Sequence, residues 1–77
     1  MEIKILGSGC AKCQKLEKMT IKALHELNLK ADVQKVDDIM KIMNYGVSST
    51  PALVVNGSVR IKGRIPGIDE IKKEITR

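Results

Sequence analysis

Aromatic residues are almost absent from this sequence. It contains no tryptophan and no phenylalanine, and Tyr45 is its only tyrosine. A hydrophobic core must therefore consist of aliphatic side chains and methionine, which the hydrophobic fraction of 43% can supply. Proteins that bind single-stranded nucleic acid stack its bases on aromatic side chains, so the composition argues against nucleic acid as a partner. The formal net charge of +5 then indicates a solvated basic surface.

Long hydrophobic runs are also missing. No stretch approaches the roughly 20 apolar residues of a membrane-spanning helix. Residues 1–7 contain no hydrophobic core of a signal peptide. We therefore expect a cytoplasmic protein that does not bind membranes. A chain of 77 residues predicts a single domain over residues 1–77, and a monomer is the default expectation.

The spacing of the hydrophobic residues predicts seven secondary-structure elements. Runs rich in β-branched residues predict strands at 2–6, 31–36, 52–55 and 58–62. Apolar residues three and four apart predict helices from 10 to about 28, from 39 to 43 and from 68 to 75. Asn56-Gly57 favours a hairpin turn between the last two strands. Either Asp37 or Asp38 is expected to cap the second helix.

The resulting order, β-α-β-α-β-β-α, predicts an α/β protein with a mixed four-stranded sheet sandwiched by three helices. The first two strands are joined by a helix and should be parallel, with a right-handed crossover. The last two strands form the antiparallel pair. One face of the first helix is expected to be buried, and its members are Cys13, Leu16, Thr20, Ala23, Leu24 and Leu27.

The only two cysteines, Cys10 and Cys13, stand where the first strand gives way to the first helix. At this spacing two side chains share one face of a helix and are close enough for disulfide geometry. Cys10 is expected at the helix N-terminus, where unpaired N–H groups and the charge of Lys12 favour the reactive thiolate. Cys13 lies on the apolar stripe. We therefore expect Cys10 to attack a substrate disulfide and Cys13 to resolve the mixed disulfide.

Three other uses of the cysteines remain open. Cysteine is a common small core residue, which suits Cys13 better than the pair. A structural zinc site needs about four ligands, and His25, the only histidine, is expected about 18 Å further along the helix. The third alternative is a soft-metal carrier of the copper type. Such carriers resemble this chain in placing Cys-x-x-Cys after a first strand, but they have methionine where Ser8 stands and end in a strand.

A second motif, Ser49-Thr50-Pro51, precedes the predicted hairpin. A strand, Cys-x-x-Cys, a helix and then Thr-Pro before a hairpin resemble the thioredoxin fold. The chain is most similar to the small archaeal and bacterial redox-active disulfide proteins of glutaredoxin size. The resemblance implies a cis peptide bond before Pro51 and a backbone around Thr50 that pairs with substrate. It also makes Gly63 the small residue that lets the last loop approach the site.

The resemblance further implies a thiol–disulfide oxidoreductase with Cys10 and Cys13 as its catalytic residues. Electrons would pass through the cysteines themselves, so no organic cofactor and no metal is expected. The implied partners are disulfide-containing protein substrates and an electron donor of the thioredoxin-reductase type. The expected substrate-binding residues are Lys12, Ser49, Thr50, Pro51 and Gly63.

The chain departs from the thioredoxin pattern at Lys4. Thioredoxins have a buried acid at this place, six residues before the first cysteine. Our hypothesis is that Lys4 either favours a thiolate at Cys13 or points to solvent. Lys12 and Arg64 are expected to make the mouth of the site basic, which predicts substrates with acidic surroundings.

Overall fold

The computed structural model describes residues 1–7, 9 and 11–77, and Ser8 and Cys10 lie outside the described residues. The order of elements is the predicted one. The strands are β1 (Glu2–Leu6), β2 (Asp32–Val36), β3 (Ala52–Val55) and β4 (Ser58–Lys62). The helices are α1 (Ala11–Glu26), α2 (Ile39–Asn44) and α3 (Ile68–Thr76). Within the described residues, none of these helices has the length and apolar character that crossing a membrane requires.

The four strands form one mixed sheet with the order β2-β1-β3-β4. β1 pairs with β2 in parallel and with β3 in antiparallel orientation. β3 and β4 form the predicted hairpin, and Asn56 and Gly57 both have positive φ angles, 49° and 84°. The pairing shifts register between Leu53 and Val54, which leaves Arg60 as an extra residue on β4. The prediction of a mixed four-stranded sheet is confirmed.

Each face of the sheet covers a separate hydrophobic cluster, because successive side chains of a strand point to opposite faces. Ile3 and Ile5 of β1 pack on the side covered by α1 and α3. Leu6 packs on the other side, against Ile42 of α2 and Val47. The central strands therefore hold α1 and α2 on opposite faces, and the loops after β1 and before β3 meet at one edge.

Helix α1 buries the face that the sequence predicts. Cys13, Leu16, Thr20, Ala23 and Leu24 are buried, and Leu27 is only partly buried. The helix ends at Glu26, two residues before the predicted end. Asn28 takes a left-handed conformation with φ of 56°, and the Leu29 N–H donates to the Leu24 carbonyl at 2.9 Å. This is the hydrogen-bond pattern of a Schellman motif, which closes the last turn earlier than hydrophobic spacing indicates.

Helix α2 begins after Asp38, so the structure decides between the two candidate caps. The Asp38 carboxylate accepts a hydrogen bond from the Met40 N–H at 2.9 Å. Of the helix residues only Ile42 is buried, whereas Ile39, Met40 and Met43 are exposed. A single buried side chain therefore holds this short helix on the sheet.

Candidate functional site

Cys13 lies in the first turn of α1, where its side chain is 4% exposed. It packs directly against Gly7, the residue that follows β1. A Cβ atom on Gly7 would lie 2.3 Å from the Cys13 Sγ and 3.3 Å from the Cys13 Cβ. Real Cβ contacts are essentially never this short, so glycine at position 7 is required for the sulfur to lie where it does.

Thr50 approaches the same glycine from the loop before β3. The Thr50 Cβ would be 3.6 Å from a Cβ on Gly7. Cys13 and Thr50 therefore lie against one face of Gly7, although they are far apart in sequence. Gly7 itself is held by its N–H, which donates to the Val36 carbonyl at 2.8 Å. The end of β2 thus fixes the backbone against which the sulfur rests.

Gly63, the residue after β4, contacts the loop at 49–51. The Thr50–Pro51 peptide bond is cis, and Pro51 is buried. The Gly63 N–H donates to the Pro51 carbonyl at 2.9 Å, and a Cβ on Gly63 would lie 3.1 Å from the Ser49 Cβ. Gly63 also has a φ of 74°, a conformation that favours glycine. The close approach expected of this small residue is present.

The structure therefore gathers most of the predicted site residues at one edge of the sheet. Cys13 and Thr50 meet at Gly7, and Ser49 and Pro51 contact Gly63. Lys12 is exposed in the first turn of α1. The prediction for Cys10 falls outside the described residues. The sequence does not single out Gly7, because no local pattern shows that Cys13 packs on it.

The charge of Arg64 is paired, whereas the sequence predicts that it makes the mouth of the site basic. Its guanidinium makes a bidentate pair with the Glu70 carboxylate at the start of α3. The pairing raises the pKa of Arg64 and lowers the pKa of Glu70. Since the two charges largely cancel, Arg64 contributes little positive field at the site. The expectation that Lys12 and Arg64 together make the mouth basic is wrong for Arg64.

Lys4 lies on the face of the sheet that α2 covers. Its Nζ is 3.4 Å from the Glu2 carboxylate and 6.0 Å from the centre of the Tyr45 ring. The side chain is 26% exposed. Hydrogen bonding to Tyr45 and then to Glu2 raises the pKa of Lys4. Lys4 is therefore held at the surface by Glu2 and Tyr45, and its influence on Cys13 stays a hypothesis.

An apolar groove of about 350 Å³ leads away from the site along α2. Its lining includes Ile39, Ile42, Met43, Val47, Ser48 and Thr50. Thr50 belongs both to this groove and to the contact with Gly7. Among the described residues, no three histidine, cysteine, aspartate or glutamate side chains come together as a metal site.

Comparison with known proteins points to one family. The model of a thioredoxin domain matches residues 1–76. The chain is 41% identical over 73 residues to a thioredoxin of Methanothermobacter thermautotrophicus, and the aligned region covers 95% of each chain. It is 36% identical over 73 residues to a thioredoxin of Methanocaldococcus jannaschii, and here the aligned region covers 95% of this chain and 84% of that protein.

Proposed function

The chain belongs to the thioredoxin family, and on this basis we propose that it exchanges electrons with protein disulfides through Cys10 and Cys13. The observation that carries the proposal is the packing of the Cys13 sulfur against Gly7, beside Thr50 and the cis peptide bond at Pro51. This places a sulfur in the first turn of a helix, where backbone N–H groups favour a thiolate. Buried Cys13 suits the resolving role, because a substrate need not reach it.

The proposed reaction has two exchange steps. The Cys10 thiolate attacks one sulfur of the substrate disulfide, a mixed disulfide forms, and the first substrate thiolate leaves. The Cys13 thiolate then attacks the Cys10 sulfur, the mixed disulfide breaks, and the second substrate thiolate leaves. Two electrons have passed to the substrate, and the protons of the two protein thiols end on the substrate thiols through solvent. The protein is left with a Cys10–Cys13 disulfide.

The loop at Ser49, Thr50 and Pro51 is the proposed binding site for an extended segment of the substrate. Ser49 and Thr50 are exposed, and the carbonyl of Pro51 is already bonded to Gly63. The substrate therefore pairs with the backbone that precedes Pro51. Lys12, exposed one residue before Cys13, is proposed to contact the substrate from the other side of the site.

Continued turnover requires an external electron donor. A reductase of the thioredoxin-reductase type would return two electrons to the Cys10–Cys13 disulfide, so no bound organic cofactor is needed. The cytoplasm maintains reducing thiol pools in which such a dithiol is recharged, and we propose it as the working compartment. The working unit in this proposal is a monomer.

Single cysteine variants test the division of labour. When Cys13 is replaced (Cys13→Ser), the protein should accumulate a stable mixed disulfide with a disulfide-containing protein such as insulin, because nothing resolves it. Cys10→Ser is the matched control and should trap none. Mass spectrometry after alkylation reads both results. Trapping by Cys10→Ser alone would reverse the two roles, and trapping by neither variant would refute the proposal.

A redox titration separates this proposal from the soft-metal carrier. The purified protein is equilibrated in dithiol–disulfide buffers, and the oxidation state is read by alkylation and mass. A single two-electron transition between about −180 and −300 mV is expected for an exchange protein. If the pair resists oxidation, or if copper(I) binds with one equivalent and blocks alkylation in the presence of excess thiol, the carrier function replaces the proposed one.

A further inference from the structure

Helix α1 carries a row of lysines on its outer surface. Lys15, Lys18 and Lys22 are spaced by three and four residues, so their side chains lie on one side of the helix. All three are exposed, and the buried side of α1 points the opposite way. We call these three residues the lysine ridge.

The two acidic residues of α1 make their ion pairs with lysines outside that helix. Glu17 pairs with Lys35 of β2 at 3.7 Å, and Glu26 pairs with Lys72 of α3 at 2.6 Å. Each acid therefore neutralises a cation outside α1. In the part of the chain that the structure describes, no carboxylate lies within ion-pair distance of the three ridge lysines. Glu26, one turn after Lys22, still feels the charge of that lysine, which helps to lower the pKa of Glu26. The uncompensated positive charge of the ridge therefore lies mainly at Lys15 and Lys18.

The lysine ridge begins at the same end of α1 as Cys13, on the exposed side of the helix. Lys15 follows Cys13 by two residues, and Lys22 lies about 10 Å further along the helix. Lys12 extends the same positive field to the first turn. Arg64 does not compete with the ridge, because its charge is cancelled by Glu70. A protein whose disulfide reached the site would therefore meet the positive field chiefly along α1.

We propose that the lysine ridge docks an acidic segment of the disulfide-containing protein partner. This inference rests on the proposed function and names the partner chemistry for the same site. Complementary charge along α1 would raise the rate of encounter and orient the partner disulfide toward Cys10. A protein partner fits the ridge better than nucleic acid does, because the single aromatic side chain, Tyr45, lies beside Lys4 on the other face of the sheet.

Two disulfide peptides test the proposal with the reduced full-length protein. One carries glutamates at the third, sixth and ninth positions after its cysteine, and the other carries glutamines at the same positions. Each second-order rate constant is divided by that of dithiothreitol with the same peptide, which removes differences in intrinsic reactivity. At low salt the glutamate peptide should react about tenfold faster than the glutamine peptide, and 0.5 M salt should abolish the difference.

Two triple variants with equal charge locate the effect. Lys15→Gln, Lys18→Gln and Lys22→Gln together should remove the preference for the glutamate peptide. The control variant replaces three exposed lysines elsewhere, Lys30, Lys41 and Lys73, by glutamine and should keep most of the preference. If both variants lose it equally, the effect belongs to net charge and the ridge proposal is overturned.

The glutamine peptide separates the two proposals from each other. If the wild-type protein reduces neither peptide, the proposed function fails. If it reduces both at the same rate, the exchange function stands and only the ridge proposal fails. A fluorescent 20-nucleotide single strand is titrated in parallel. Binding of that strand through the ridge lysines, without any preference for the glutamate peptide, would assign the ridge to nucleic acid and overturn the proposal.

Discussion

At the scale of single residues, the position of the Cys13 sulfur depends on an absent side chain. Gly7 has a φ of 150°, and its missing Cβ leaves the space that the Cys13 Sγ occupies. Any side chain at position 7 would have to displace the sulfur, the Thr50 loop or its own backbone. Cysteine placement in this protein is therefore set as much by a glycine after β1 as by the helix that carries the cysteine.

The first prediction concerns Gly7→Ala. The substitution should lower the free energy of unfolding by about 2–3 kcal/mol, since an overpacked contact is added to an unfavourable φ. Gly46→Ala is the matched control, because Gly46 has a φ of 77° and a Cβ there would meet no atom within 4 Å. It should cost only about 1 kcal/mol. Urea denaturation of the three proteins measures both differences.

A double-mutant cycle shows whether the sulfur is the cause. In a Cys13→Ala background the nearest atom to the new Cβ is gone, so Gly7→Ala should become less costly by at least about 0.5 kcal/mol. An unchanged cost in both backgrounds would mean that backbone strain alone explains the effect. In that case the contact with Cys13 would not set the choice of glycine.

At the scale of elements, α2 is the part of the fold with the weakest attachment. It has six residues, and only Ile42 is buried. Most isolated helices of this length are unstable, so tertiary packing and capping must hold it. The cap at Asp38 therefore matters more here than it would in a long helix such as α1.

The second prediction removes that cap. Asp38→Ala should lower the free energy of unfolding by about 1 kcal/mol and accelerate amide hydrogen exchange in α2, because the Met40 N–H loses its acceptor. Asp37→Ala changes the same charge one residue earlier and should cost much less. Equal losses in the two variants would show that the charge near α2, rather than the hydrogen bond, provides the stabilisation.

Element order was predictable because hydrophobic periodicity and turn residues are local signals. Asn56-Gly57 marks the hairpin, and the spacing from Cys13 to Leu24 marks the buried face of α1. The end of α1 was not predictable from that spacing, since the Asn28 conformation that closes it depends on hydrogen bonds to Leu24 and His25. A pattern of hydrophobic residues does not report such backbone geometry.

At the scale of the whole molecule, three ion pairs tie α3 to the rest of the fold, and one of them joins Glu74 to Arg60 of β4 at 4.0 Å. The other two involve Glu26 and Glu70. Lys72 holds Glu26 of α1, and Glu70 holds Arg64 in the loop after β4. Both carboxyl pKa values are lowered, chiefly by the hydrogen bond from the partner cation. Each of these two pairs lies at the surface, so each is a modest contribution that salt screens.

The third prediction is a loss of stability in mild acid. Because the folded pKa values of Glu26 and Glu70 are lowered, their contribution is present above the ordinary carboxyl pKa of 4.5. It is lost as the pH falls through the lower folded values. The double variant Glu26→Gln, Glu70→Gln should therefore show a shallower fall of unfolding free energy between about pH 5 and pH 3.

A control variant and salt distinguish this cause from general acid denaturation. Glu17→Gln removes a carboxylate whose partner, Lys35, is more distant at 3.7 Å, and it should leave the slope close to that of the wild type. In 0.5 M salt the wild-type slope should approach that of the double variant. A double variant that keeps the wild-type slope at low salt would show that other carboxylates cause the loss.

The candidate site was predictable to the extent that its residues follow one another in a motif. Ser49-Thr50-Pro51 and the position of Cys13 come from such motifs, and the structure brings them together around Gly7 and Gly63. The partner of Arg64 was not predictable, because it depends on where α3 begins in space. When the partner of a side chain comes from another element, the sequence around that side chain does not reveal the partner.

The extra residue on β4 bears on how copies of the protein behave in a crowded solution. β4 is an outer strand of the sheet, and an outer strand with regular, unpaired N–H and C=O groups invites another strand to add to it. The bulge at Arg60 twists β4 locally and interrupts the regular hydrogen-bond pattern with which an added strand would pair. At the opposite edge of the sheet, β2 carries Asp32 and Lys35. Their hydrated charges would have to lose water before another strand could pair with β2. The two edge strands therefore discourage polymerisation of the protein by different means.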